Sequence, residues 1–213
     1  LLDIGEAVTE KWNEEIIWGS TRNVNGLQTV AMAKHTKGSH YNARSVLGPT
    51  LSVAEAFYSS NGVPISEDNS DFWTANYPNR YEITTIPDEG NNKYYLQIGE
   101  QTAYLHLNRE PRFYASVSFN GCVWPLLKNA ETVDYKNDVE KQVNYYYGIN
   151  TDGFSGTGVY LRSGIGIMKY VHPDDTNRKE IKAKAEPAIR FAEILLIYAE
   201  ALNEYSGPSG EVY

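Results

Sequence analysis

Apolar residues recur every three or four positions in only two stretches of the chain. The first opens at Ser52-Val53-Ala54-Glu55, where Ser52 and Glu55 have capping-box spacing, so each side chain can satisfy a backbone N–H at the start of a helix. Val53, Ala54, Ala56 and Phe57 give that helix a buried side, and Pro49 fixes its approach. Ser59-Ser60-Asn61-Gly62 ends it with residues that tolerate positive φ. The second helix is predicted from Pro187, a favoured first-turn residue, through Tyr205, with Gly207-Pro208 as the stop. Phe191, Leu195, Tyr198, Leu202 and Tyr205 form one stripe along it, and Ala188, Ala192 and Ala199 an adjacent strip open to close backbone approach. Two apolar strips call for two helical neighbours. No other long amphipathic segment is present to supply them, so the mates are expected in sequence outside these 213 residues, and the chain reads as a fragment.

Between the helices the period falls to two. Phe113, Ala115, Val117 and Phe119 alternate with Tyr114, Ser116, Ser118 and Asn120, which predicts a strand ending at the Asn120-Gly121 turn. Strands are likewise predicted at Tyr81 to Ile86, Tyr94 to Ile98 and Ala103 to Leu107, joined as a small meander, and at Glu15 to Trp18 and Ile167 to Val171. The remainder, rich in Asn, Gly, Ser and Asp, reads as irregular.

Composition narrows the function. Nineteen Lys and Arg against 27 Asp and Glu leave a net charge of −8, which repels nucleic acid and anionic lipid surfaces. The longest apolar-rich run, Ile194 to Ala199, is flanked by charges and falls far short of the roughly 20 residues of a bilayer-spanning helix. The lone Cys122 has no disulfide partner or companion zinc ligand and reads as a small buried hydrophobe. The glycines of Gly156-Thr157-Gly158 and Gly164-Ile165-Gly166 lack the rest of a phosphate-binding fingerprint and read as turn or strand glycines. His35, His40, His106 and His172 show no metal-ligand spacing, and Glu67-Asp68-Asn69-Ser70-Asp71 lacks the glycine and terminal glutamate of a calcium hand, so it reads as a solvated acidic loop. Glu14 with Glu15 and Asp174 with Asp175 read as surface charge, since neighbours in sequence rarely face each other across a substrate. No cofactor site emerges.

Seventeen Tyr against six Phe favours rings with a polar tip, suited either to recognition or to tethering loops on the core. Trp18 lies near Arg22 and Asn23, Trp73 near Asn76 and Tyr77, and Tyr145-Tyr146-Tyr147 near Asn150 and Asp152; Trp124 completes the set. A flat ring beside amides or a guanidinium matches the C–H face and hydroxyls of a sugar. Core packing is the competing role for each ring.

Several stretches, in order, resemble the SusD/RagB-like outer-membrane nutrient-binding lipoproteins of Bacteroidota. They are Pro49 to Tyr58 with Asn61-Gly62-Val63-Pro64-Ile65, Asn108 to Tyr114 with Asn120-Gly121 and Trp124, Met168-Lys169-Tyr170-Val171, and Arg190 to Glu204. The succession covers most of the chain from Glu15 onward, and the Arg-x-Ala-Glu helix is its most specific piece. The resemblance implies a mainly α fold with irregular loops and short strands, in which tetratricopeptide-like helix pairs support a loop-rich lobe. Residues 1–186 would belong to that lobe and 187–213 to the scaffold helix and following turn. Arg112 and Phe113 would anchor a strand, and Arg190 with Glu193 would make scaffold hydrogen bonds.

By the same resemblance the protein is not an enzyme. It would bind oligosaccharide, polysaccharide or another nutrient at the cell surface and hand it to a SusC-like TonB-dependent transporter. Its membrane contact would be a lipid anchor on a cysteine of the parent chain, a role Cys122 is wrongly placed to fill. A glycoside hydrolase and a protein-binding scaffold are the alternatives. The family has no portable ligand motif, so the candidate binding residues come from the residues themselves: Trp18, Arg22, Tyr41, Trp73 and Tyr77, in loop-like sequence outside the matched stretches.

Overall fold

The computed structural model describes residues 2–20, 25–33, 45–123, 143, 145–146, 160–172, 175, 181–208 and 210. Among these residues six α-helices run in chain order: α1 Leu2–Thr9, α2 Asn25–Ala31, α3 Leu51–Ala56, α4 Asp71–Asn76, α5 Pro111–Ser116 and α6 Phe191–Ser206. Three antiparallel strand pairs join distant parts of the chain: β1 Ile16–Ser20 with β6 Glu186–Arg190, β2 Ile83–Thr85 with β3 Gln101–Ala103, and β4 Val117–Phe119 with β5 Ile165–Ile167.

The first predicted helix is α3, but its cap is Thr50 and not Ser52: the Thr50 hydroxyl accepts from the Val53 N–H at 3.4 Å. Glu55 does not reach back to complete a capping box; it pairs instead with Arg80 and Tyr81. At the other end of α3, Arg109 satisfies the carbonyls that every helix terminus leaves without partners. Its guanidinium donates to Ala54 and Phe57 at 2.7 Å each and to Leu105 at 2.8 Å, and it lies 4.4 Å over the Phe113 ring. Burial pushes Arg109 down to about 10, so it keeps its proton at neutral pH. Arg112, expected to anchor a strand with Phe113, instead pairs with Glu110, and Arg112 and Phe113 both belong to α5.

The predicted strand from Phe113 to Phe119 is in fact α5 followed by the three-residue β4. Pro111 at the first helical turn favours the helix. All seven residues are buried, so neither face reports an in–out alternation. The meander is also reduced. Asn92–Tyr94 is a 3₁₀ turn followed by a lone bridge between Leu96 and Cys122, and β3 passes directly into a 3₁₀ turn at Tyr104–His106. Consecutive burial of Leu105, His106 and Leu107 explains why a strand pattern misleads there. The strands at Glu15 to Trp18 and Ile167 to Val171 correspond to β1 and β5, the second displaced toward Ile165.

The last helix begins four residues later than predicted, at Phe191. Glu186–Arg190 pairs with β1, and Pro187 is tolerated in that two-stranded ribbon, which leaves ladder positions open. Glu15 then caps α6: its carbonyl accepts the Phe191 N–H at 2.8 Å and its carboxylate the Ala192 N–H at 3.5 Å. None of the α6 residues is buried, and Leu196 is 72% exposed. The core lies elsewhere, around Trp73, Ile86, Leu96, Leu105, Phe113, Phe119 and Ile165. No helix among the described residues is long and apolar enough to cross a membrane.

Candidate functional site

The β2–β3 pair forms one wall of a cavity of about 410 Å³. Its exposed lining residues include Tyr81 just before β2, Ile83 within it, and Tyr146, which form its rim. Its base includes Thr102, Leu105 and His106. Gln101 and Asn120 bring amides to the same space, and Ser163 and Ile165 close it from the β5 side. Ser163 also lines a second cavity of about 500 Å³, with Thr50, Tyr160 and Arg162.

Hydrogen bonds hold these walls together. The Asn120 amide donates to the Gln101 carbonyl at 2.6 Å, and its oxygen accepts the Tyr145 N–H at 2.8 Å, joining β3 to the tyrosine segment. The Tyr145 hydroxyl pairs with Ser118 at 2.7 Å. Gly166 makes this possible, since a Cβ there would stand 2.5 Å from Ser118 Oγ and 2.9 Å from the Tyr145 hydroxyl.

Tyr81 is held from behind. Its hydroxyl donates to Glu55, Arg80 Nε donates to the same oxygen, and the Arg80 guanidinium lies 4.5 Å from the centres of both the Tyr77 and Tyr81 rings. Burial alone would raise the Glu55 carboxyl, but the bonds from Tyr81 and Arg80 outweigh it and keep the carboxyl below its ordinary value. His106 stacks on Phe119 and bonds to Thr102 through Nδ1 at 2.8 Å. Burial, reinforced by the Arg109 charge, lowers its pKa to about 3, so the cavity base is uncharged at neutral pH. Among the described residues, none lining this cavity is Asp or Glu. The arrangement offers aromatic faces, amides and hydroxyls around an uncharged base.

The sequence candidates are not brought together. Trp73 is a correction: far from lying in a loop, it is on α4, 1% exposed, edge-on to Phe72 and beneath Arg109, so no ligand reaches its ring. Trp18 is 67% exposed but sits in β1 opposite Ile189, outside the cavity. Tyr77 is half-buried and supports Tyr81 through Arg80. Arg22 and Tyr41 lie outside the described residues, as do Asn23, Trp124, Tyr147, Asn150, Asp152, Asp174, His35, His40 and the Gly156 and Gly158 pair. Sequence reasoning singled out Tyr145 and Tyr146 but missed Tyr81, Gln101 and Asn120 as partners; the Tyr77–Tyr81 spacing around Arg80 was the available signal.

In the acidic loop Glu67, Asn69 and Asp71 are exposed as expected, and Asp68 alone departs from the reading. Asp68 is buried and accepts from Asn61 Nδ2 at 3.0 Å and the Ser70 N–H at 2.8 Å, while Ser70 caps α4. Cys122 is buried as expected, and burial pushes its thiol up to about 12. Among the described residues, no group of three or more His, Cys, Asp or Glu side chains is placed to hold a metal ion.

The sequence profile of the SusD family matches residues 14–213. Among solved structures, a SusD-like protein from Bacteroides fragilis superposes with a TM-score of 0.60 at 20% identity, over 98% of this chain and 36% of its own. The selenomethionine form of BT4246 superposes with a TM-score of 0.55 at 22% identity, over 94% of this chain and 32% of its own. The chain thus spans about a third of the length of these relatives. No curated protein matches it by sequence.

Proposed function

The chain belongs to the SusD family, and from that premise we propose that it captures glycan without cleaving it, as part of a surface lipoprotein that hands the glycan to a SusC-like TonB-dependent transporter. The observation that carries this reading is the aromatic and amide cavity. Tyr81 and Tyr146 present exposed rings, Gln101 and Asn120 present amides, and no carboxylate stands among the described lining residues to act as acid or nucleophile. A volume of about 410 Å³ suits a few sugar units of a longer chain. Binding then falls to Tyr81, Tyr146 and Asn120, with Tyr77 acting through Arg80.

In this reading residues 1–186 form the ligand-bearing lobe and 187–213 the scaffold segment, stitched together by the β1–β6 pair. The apolar faces of α6 are those of a tetratricopeptide-like helix whose neighbours lie in the rest of a longer protein, anchored to the outer membrane by lipid. The test is retention of the protein in gels containing a panel of polysaccharides, with reducing ends assayed in parallel. Retention without release, weakened about tenfold in Tyr81→Ala and Tyr146→Ala, is the expected result. Release of reducing ends, or retention by no polysaccharide, would overturn the reading.

A further inference from the structure

A third cavity, sharing no lining residue with the aromatic one, breaks the acidic character of the chain. It measures about 270 Å³ and is lined by Lys169, Lys184 and Arg190 against one carboxylate, Glu186, over an apolar base that includes Val8. Lys184 is already neutralised, since its ammonium donates to Asp175 at 2.7 Å and both side chains are buried. Lys169 and Arg190 are different. Neither side chain makes an ion pair or hydrogen bond with the described residues, although both are partly buried. Burial lowers the Lys169 pKa, and the charges of Arg190 and Arg112 lower it further, so the local field is positive.

Both cations are positioned by backbone. Lys169 follows β5 and donates its N–H to the Ser116 carbonyl, while Arg190 is paired with Ile16 at the end of β6. The first amides of α6 are taken by Glu15, so the cavity offers an ammonium and a guanidinium and not a helix terminus. Two partly desolvated cations facing one space are unfavourable alone, and an anion between them offsets the cost. A guanidinium fork and an ammonium together match an oxyanion.

We infer that this cavity is an anion site for a sulfate or carboxylate group, free or carried on a single acidic sugar, held between Lys169 and Arg190. Its volume falls just below the usual range for ligand pockets, enough for one acidic unit and too small for an oligosaccharide. The site stands apart from the proposed glycan cavity and does not depend on it.

Calorimetric titration of the full-length protein with sodium sulfate, against sodium chloride at equal ionic strength, tests this. Glucuronate against glucose separates a sugar-borne carboxylate from a free anion. Saturable sulfate or glucuronate binding is expected, weakened about tenfold or more in Lys169→Met and Arg190→Gln and retained in Lys169→Arg. Glu186→Gln, at an exposed side chain, should tighten binding, a direction that loss of folding cannot mimic. Polysaccharide retention should be unchanged in Lys169→Met, which keeps this test distinct from that of the aromatic cavity. The inference is overturned if sulfate and glucuronate behave as chloride and glucose do, or if affinity is the same in a folded Lys169→Met and in Glu186→Gln.

Discussion

Tyr81 donates its hydroxyl hydrogen to Glu55 across 2.6 Å, tying the rim of the aromatic cavity to helix α3. Arg80 shares the same carboxylate oxygen, so one acidic side chain orients both the cation and the ring stacked on it. Removing the carboxylate in Glu55→Ala frees the Tyr81 ring to rotate and leaves the ring itself in place. Glycan affinity should fall about three- to tenfold, while stability changes by only about 1 kcal/mol, as for other partly exposed ion pairs. Gel retention and urea unfolding on the same variant separate the two effects. Equal affinity in wild type and variant would show that the ring needs no such support.

Arg109 ties helix α3 to the segment that carries Leu105. It is 3% exposed, and its substitution by Met leaves the carbonyls of Ala54, Phe57 and Leu105 without donors. Each buried orphan costs about 1–3 kcal/mol, so Arg109→Met should lower unfolding free energy by about 3 kcal/mol or more. Surface Arg112→Met should change it by less than about 1 kcal/mol. Similar losses at the two positions would refute the assignment of the anchor to Arg109.

How much of this was legible in the sequence follows from where each signal comes from. The interior of α6 was readable because its 3.6-residue period is undisturbed over sixteen residues. Its start was not, because Pro187 is as acceptable in an edge strand as in a first helical turn, and pairing with β1 decides between them. Helices α1, α2 and α4 are eight residues or fewer, too short for propensity alone, and depend on tertiary contacts that no local pattern reports. For the site, an aromatic beside amides pointed to Trp73 and Tyr77, but composition cannot tell an enclosed indole from an exposed one. Tyr81, Gln101 and Asn120 come from segments up to 39 positions apart, and only the fold juxtaposes them.

Gly166 offers a test of the cavity wall. An added methyl would meet Ser118 Oγ at 2.5 Å and the Tyr145 hydroxyl at 2.9 Å, so Gly166→Ala must break their hydrogen bond or shift β5. A loss of about 1–3 kcal/mol is expected from overpacking, with weaker glycan retention and a changed near-ultraviolet tyrosine signal. The control is Gly164→Ala, where positive φ brings strain but nothing lies within 4 Å of the added carbon. If Gly164→Ala perturbs the tyrosine signal as much, the effect is backbone strain and not the Tyr145 seat.

Asp68 sets a pH dependence. Burial disfavours its charge, yet the bonds from Ser59, Ser70 and Asn61 prevail and hold its carboxyl at about 2, below the ordinary 3.8. A carboxyl depressed in the folded state contributes stability that is complete above the unfolded value and is lost as pH falls through the folded one. The difference in unfolding free energy between wild type and Asp68→Asn should therefore be constant above about pH 5 and shrink between about pH 4 and 2. Chemical unfolding at several pH values checks this. A difference that grows on acidification would reverse the sign and exclude the proposed bonding.

Leu196 is 72% exposed on a helix whose Phe191, Leu195 and Tyr198 are each about half exposed. An isolated sixteen-residue helix gains little from propensity alone, and apolar surface of this kind needs a cover. If neighbouring scaffold helices of a longer protein provide it, the same substitution must behave differently in two contexts. In the full-length protein Leu196→Ala should cost about 2–3 kcal/mol, the loss expected for a side chain removed from a packed interface. In the 213-residue chain it should cost less than about 0.5 kcal/mol, because the side chain already faces solvent. Binding of a hydrophobic dye should follow the reverse order, strong for the short chain and weak for the long one. Equal costs in both contexts would mean that α6 has no helical neighbours, and the scaffold reading would fall while the cavity between β2–β3 and the tyrosine segment kept its own separate test.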